Sequence, residues 1–385
     1  MLDIRLNGQS LRDILTSPPR IHDQANGVCR VLEFEVAYSD KLVNFLGQPV
    51  ELWYNGERWF FGFMLRRGKT IDHRVIFKAY DPLFYFKRTP DDYYIKNQTA
   101  TQGFRYLAEQ VGVKVQKLED TGAVFTALYY SNSTPDKIVV DLMARTYKAN
   151  GRKFWFRYNP GVKDEGLYLF ERKVPAKIWA FTVGVNLTSA AIEESVEETC
   201  PVIKLVNRET GKTVYEVDNE ALQQYGHQIH FEEVDKDKAD TMEAYAKELL
   251  AKLSVVNTTM DIEGINPDRT MPQFYSGDAI YVEEELTGII GGFYIRNVTH
   301  TFASDNLVTV SVEITEAPDI PEIQYQEANT EITELADGTS GKRKSRGKKA
   351  DKETDTNTGV QESPGYSAEM QKQIEKYGIK KGGSN

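Results

Sequence analysis

GGFYIRNVTHTF, residues 291–302, carries one of five histidines in the chain and follows GDAIYVEEELTGII, residues 277–290. Two readings compete for it. In one, His300 is an acid–base centre served by Glu283, Glu284 and Glu285 one hairpin upstream. In the other it is an ordinary histidine on the edge of a strand. A general base needs a partner that orients it and a pocket that holds a substrate. The three glutamates would face alternate sides of a strand or lie in the turn beyond it, so they offer no such partner. The alternation favours the second reading: Tyr294, Val298 and Phe302 fall on the side of His300 at period two. The stretch reads as one of the last strands of a β-rich domain.

The same period opens the chain. VLEFEVAY (31–38) places Leu32, Phe34, Val36 and Tyr38 on one face and Glu33 and Glu35 on the other. VELWYNGERWFFGFML (50–65) holds two β-type runs around Asn55-Gly56, a dipeptide suited to the type I′ hairpin turn because both central residues need positive φ. RVIFKAYD (74–81) supplies a further strand. Residues 1–90 therefore read as a first β-rich domain.

Helical signals then take over. Thr99 and Gln102 have the spacing of a capping box, with Phe104, Leu107, Ala108 and Val111 on one helical face before Gly112. In STPDKIVVDLMARTYKANG, Thr134 is the N-cap, Pro135 opens the helix and Asn150-Gly151 closes it. Its buried stripe is Ile138, Val139, Leu142, Met143, Thr146 and Tyr147. A hairpin turning near Pro160-Gly161 completes a small α+β domain, 91–183. From 184 to 318 the β reading returns. It includes a hairpin at 201–217 turning near Thr210-Gly211, one amphipathic helix within 237–253, and LVTVSVEI, whose Val308, Val310, Val312 and Ile314 share a face. No short tandem repeat is present, although the two β-rich parts read as possible structural cousins. Residues 319–385 are polar and poor in large apolar side chains, so they are expected to form a disordered tail. A short helix at 367–378 ends it, with Met370, Ile374 and Tyr377 on one face. The fold class is mainly β with an α+β insert.

Composition narrows the function. The net charge is −10, and because the segment from Pro321 onward balances, the whole deficit lies in residues 1–320. An acidic body argues against a phosphate-gripping nucleic-acid binder. Cys29 and Cys200, far apart, offer neither a disulfide framework nor a cysteine metal site and fit a reducing cytoplasm. No run of 18 apolar residues suggests a membrane anchor, and the N-terminus lacks the pattern of a secretion signal.

The remaining candidates for chemistry each have a simpler explanation. Glu193-Glu194 and Glu197-Glu198 could serve as a glycosidase dyad, but acidic runs are commonly solvated faces. His227 and His230, followed by Glu232 and Glu233, lack a third metal ligand at a defined spacing, and His73 stands alone. Trp53, Tyr54, Trp59, Phe60 and Phe61 could stack on a sugar, yet a core face plus a subunit contact accounts for them. The basic run GKRKSRGKK (341–349) reads as a solvated linker. No phosphate-binding, dinucleotide-binding or nucleophile-elbow motif occurs. The expectation is no catalytic residue, no cofactor and no metal.

Taken in order, several landmarks resemble one family. They are WFFGFM with AYDPLFYFKR (79–88), NQTATQGFRYLAEQVGV, PDKIVVDLMARTYKANGRKFWFR, NLTSAAIEESVEET (186–199), YGHQIHFEEVD (225–235) with AKELLAKL, and the closing SGDAIYVEEELTGIIGGFYIRNVTHTF. This series is similar to the baseplate hub proteins of contractile phage tails, tail-like bacteriocins and related injection machines. The similarity is greatest to the late control D-like hubs of Gram-positive prophages. Cys200-Pro201 departs from the asparagine-led strand usual there. The resemblance implies a non-enzymatic homotrimer with two β-barrel-like tube domains per subunit. Its pseudo-sixfold ring would surround a channel through which DNA can pass, and would join the hexameric tail tube to the trimeric spike among other baseplate proteins. It also implies a place in a virion or tail-like particle assembled in the bacterial cytoplasm. The alternative is a tail-associated cell-wall hydrolase or carbohydrate-binding tail protein. It would need an extra compact domain, and the segment after Pro318 is too short and polar to supply one.

Overall fold

The computed structural model describes residues 1–25, 27–39, 45–172, 178–234, 241–265 and 271–315, and the backbone of 330–331. The chain begins with β1 (Leu2–Leu6), β2 (Gln9–Ser10), β3 (Arg20–Gln24), β4 (Val31–Ala37), β5 (Pro49–Tyr54), β6 (Glu57–Lys69) and β7 (Arg74–Tyr80). Asn55 (φ +51°) and Gly56 (φ +85°) form the β5–β6 turn, the backbone that the type I′ geometry requires. Leu32, Phe34 and Val36 point into the core while Glu33 and Glu35 stay outside. Tyr38 lies beyond the end of β4 and is exposed, contrary to the alternation read through it.

The α+β part comprises β8 (Asp91–Thr99), α1 (Ala100–Gln110), β9 (Val115–Leu118), β10 (Val124–Ser133), α2 (Pro135–Asn150), β11 (Phe154–Asn159) and β12 (Gly166–Glu171). Both halves of the Thr99–Gln102 capping box form, satisfying two orphan N–H groups at once. Pro135 opens α2 and Gly151 closes it in the left-handed region, but the Thr134 hydroxyl makes no capping bond. Tyr147 faces outward rather than joining the buried stripe. This part has its own core around Phe104, Leu107, Ile138, Leu142, Phe154 and Leu169.

After β13 (Trp179–Thr182) and β14 (Leu187–Ser195), residues 194–257 form a compact unit of their own. The sequence reading carried these residues inside the second β-rich domain. They form β15 (Val202–Val206), β16 (Thr213–Val217), α3 (Asn219–Tyr225), β17 (Ile229–Glu233) and α4 (Met242–Leu253). The sheet order is β16-β15-β17, and the core centres on Ile203, Leu205, Val214, Met242 and Ala246. The unit's ends meet within it: Cys200 N–H donates to Leu253 O (2.7 Å) and Thr199 Oγ1 to Val255 O (3.1 Å).

The other unit resumes with β18 (Asn257–Ile265), β19 (Ala279–Glu283), β20 (Ile290–Phe302), β21 (Val308–Thr315) and β22 (Thr330–Glu331). The expected helix at 367–378 and the basic run at 341–349 lie outside the described residues. Strands from both β-rich stretches join in one sheet, ordered β14-β18-β21-β20-β3-β4-β7-β6-β5-β1-β2, with β19 and then β13 added beside β20. One apolar core spans both, from Ile4, Phe34, Leu52 and Phe77 to Ile262, Ile280, Val298 and Val312.

Within that sheet the same motif occurs twice. The first module pairs its strands in the order β4-β7-β6-β5 and the second in the order β18-β21-β20-β19, so each first strand pairs with its last. The third strand is 13 residues long in both. The correspondence extends to single hydrogen bonds. In the first module Gly47 N–H donates to Met64 O (2.7 Å), Met64 N–H to Gln48 O (2.9 Å), and Gln48 N–H to Phe45 O (3.1 Å). In the second, Gly277 N–H donates to Ile295 O (2.8 Å), Ile295 N–H to Asp278 O (2.9 Å), and Asp278 N–H to Tyr275 O (3.1 Å). Gly47 and Gly277 share a positive φ (+81° and +84°), and each long strand then shifts register just after that carbonyl. A bulge bends a strand and strengthens its twist, which is how a sheet curls toward a barrel.

Candidate functional site

His300 lies on β20 between β21 and β3, opposite Val310 on one side and Ile21 on the other, so it sits inside the sheet and not at its edge. The shift at Arg296 breaks the period, so Val298, His300 and Phe302 share the inward side with Phe293 and Ile295. Tyr294 faces the other way, which corrects the uninterrupted alternation read from the sequence. The imidazole is fully buried. It meets Trp59 edge-on (5.5 Å between ring centres) and stacks on Phe274 (6.2 Å), while Tyr54 and Phe302 complete the aromatic group. Its Nε2 accepts the Phe274 N–H (3.2 Å), which places the proton on Nδ1. Burial, aided by the nearby Arg30 charge, pulls its pKa down to about 3. An imidazole in this setting stays neutral at physiological pH and packs as a ring.

The glutamates upstream are not its partners. Glu284 turns back on its own loop, accepting the N–H of Leu286 (2.8 Å) and of Thr287 (2.6 Å) and the Thr287 hydroxyl; these bonds hold its carboxyl below the usual range. Glu283 and Glu285 are exposed. Glu193, Glu194, Glu197 and Glu198 are exposed as well, as a solvated face would be. His230 lies 3.4 Å from Glu232, and among the described residues no group of three His, Cys, Asp or Glu side chains is placed to hold a metal. His73 occupies the β6–β7 turn with positive φ. Trp59, Phe60 and Tyr54 are core residues, and Trp53 donates its indole N–H to Glu51 (2.9 Å).

A polar cluster that the sequence did not announce sits where the two modules and the α+β part meet. The Arg30 guanidinium donates to Trp59 O (3.1 Å), lies 3.8 Å from Asp23 and covers the Tyr275 ring at 4.6 Å. Ser276 donates its hydroxyl (3.0 Å) and its N–H (3.2 Å) to Asp23. Asp81 accepts the N–H of Arg30 and of Leu83, both at 2.9 Å, yet full burial drives its pKa up to about 7. Arg157 reaches across from β11, bonding Asp278 (3.1 Å) and covering the other contact on Tyr275 at 4.2 Å. Asp81 did carry a signal, since Asp-Pro ahead of LFYFK reads as an N-cap. The other members come from four separate stretches, around 23–30, 59, 157 and 275–278, and no local signal joins them. Such an array orients packed elements through charge-assisted bonds.

Comparison with known proteins fits this architecture. The profile of the YqbQ-like family matches residues 20–315. The chain belongs to the YqbQ-like family. It is 24% identical over 282 residues to the phage-like element PBSX protein XkdQ of Bacillus subtilis strain 168, covering 72% of this chain and 83% of that one. Among solved structures it superposes on the 43 kDa tail protein of prophage MuSo2 from Shewanella oneidensis. The TM-score is 0.57 at 15% identity, over 83% of this chain and 98% of that one. It also superposes on an E. coli type VI secretion system component described as structurally similar to the bacteriophage T4 tail proteins gp27 and gp5. There the TM-score is 0.51 at 12% identity, over 84% and 80% of the two chains. This YqbQ-like chain therefore has the fold of phage tail proteins. Among its described residues no helix is long and apolar enough to cross a membrane.

Proposed function

We propose that this chain is the baseplate hub of a contractile tail or tail-like particle and acts without catalytic chemistry. Three copies supply six modules of one topology, which form a pseudo-sixfold ring around a channel. The ring adapts a hexameric tail tube to a trimeric spike, with other baseplate proteins around it. The single observation that supports this most is the duplication of β4–β7 in β18–β21 down to the Gly47 and Gly277 hydrogen bonds. A threefold protein meets a sixfold neighbour with least strain when each subunit carries two equivalent modules.

The polar face of the sheet is the channel side in this reading. It carries Glu33, Glu35 and Lys78 on the first module, and Thr299, Ser311 and Glu313 on the second. Its mixed and acidic charge would let a polyanion slide past without binding. Met370, Ile374 and Tyr377 would contact the spike or another baseplate protein.

Two experiments test the proposal. Quantitative mass spectrometry of purified particles should give three copies per tail; two copies would contradict it. A cell-wall zymogram of the purified chain should show no lysis. A lytic band abolished by His300→Ala would replace the structural reading with the hydrolase.

A further inference from the structure

The duplication exposes a difference between the two modules. Counting from Gly47 and Gly277, Glu51 corresponds to Tyr281; counting from Met64 and Ile295, Phe61 corresponds to Gly292. Each pair stands opposite in its hairpin. In the first module this outer face is covered. Phe61 packs on the α+β core and stacks on Tyr158 (6.5 Å), while Arg58 bonds Glu51 (2.6 Å) and Pro160 O (2.6 Å) and pairs with Glu165. In the second module nothing stands within 4 Å of where a Gly292 Cβ would lie; beside it Tyr281 and Ile290 are open, Glu283 is exposed opposite Ile290, and Tyr294 is covered by the Arg172 guanidinium at 3.9 Å.

That open surface is extensive. Tyr281 is 40% exposed and Ile290 52%. Ala180, opposite Tyr281 on the parallel neighbour β13, is exposed too, as is Ile178 just before it. Because β13 and β19 run parallel, the turns after them lie at one end of the sheet. These turns carry Val183 (59% exposed), Val185 (66%) and Leu286 (98%). Leu286 is presented on a turn that the Glu284 carboxylate holds through its three bonds, so fixing it in an interface would cost little further entropy. A mainly apolar surface of this extent, interrupted by Glu283 and Thr182, marks an interaction site.

We propose that the outer face of β13, β19 and the first half of β20 is the surface by which one copy of this chain docks on the next. The occupant is a second copy because the corresponding face of the first module is already covered from within the chain. A ring of alternating modules then leaves this face as the unmatched side of each subunit, to be closed by its neighbour. The inference rests on the hub reading and adds to it the contact that closes the ring.

The test uses the full-length chain with a benzophenone amino acid at position 290, and in a second preparation at position 311 on the polar face. Irradiation is expected to give chain-to-chain adducts up to a trimer from position 290, and about tenfold less from position 311. The double variant Leu286→Asp/Ile290→Asp, altered only at exposed positions, should be monomeric by native mass spectrometry with an unchanged unfolding midpoint. No adduct from position 290, equal yields from both positions, an adduct with a different protein or a trimeric double variant would each overturn the proposal. Three copies per tail with no adduct from position 290 would sink this face alone; another copy number would sink the hub reading beneath it.

Discussion

The Phe274 N–H reaches Nε2 of the fully buried His300, and this bond explains why a histidine stands among Trp59, Phe274 and Phe302. A phenylalanine would fill a similar volume but leave that N–H without an acceptor, at a cost of about 1–3 kcal/mol. The histidine carries a pH dependence in return. Its folded pKa is about 3 against 6.5 for the free side chain, so the unfolded chain binds a proton that the folded chain refuses. Its contribution is therefore complete above pH 6.5 and is lost as pH falls toward about 3. His300→Phe should be less stable than the native chain near neutrality, and the gap should close or reverse by about pH 4 in urea titrations. A constant gap would show that His300 is not held neutral. The thiols give a second prediction. Burial, with Asp81 nearby, pushes Cys29 far up, whereas Cys200 is only partly buried. Thiol titration of the folded chain at mild alkaline pH should label Cys200 alone, and labelling of both without denaturant would contradict the packing around Cys29.

Elements were legible where a local rule decides the backbone. The Asn55-Gly56 turn, the Thr99 capping box, the Pro135 start of α2 and the alternation of β21 all follow from spacing and stereochemistry. What spacing does not carry is the point at which a strand shifts register. The bulge at Arg296 moved Tyr294 to the opposite face, and the signal for it is the partner glycine at 277, two strand segments away. The buried cluster around Arg30 was hidden for a related reason, since charged residues are read locally as surface until the fold brings them together. The two modules are not interchangeable in detail. Gly62, which corresponds to Phe293, runs so close to β7 that a Cβ would stand 2.2 Å from Tyr80 O. Gly62→Ala should lower stability by about 1–3 kcal/mol through overpacking, measured by chemical denaturation. No loss there would mean that β6 and β7 are less tightly apposed than the sheet requires.

For the whole molecule, composition and element order pointed to a mainly β chain with an α+β insert, and the structure has that character. Two features took their definite form only in the fold. Residues 194–257 build a core of their own, in which Ile203, Leu205 and Val214 pack with Met242 and Ala246. The duplication is also invisible as a sequence repeat, since the modules share backbone geometry at Gly47 and Gly277 while most side chains differ. That duplication leads to the central claim, that each subunit contributes two equivalent parts of one ring. A reconstruction of the assembled tail tip by electron cryo-microscopy tests it most directly. The account predicts three copies of the chain, with β4–β7 and β18–β21 alternating around the channel at roughly sixfold spacing. Six copies each contributing one module, or either module lying away from the channel wall, would contradict it.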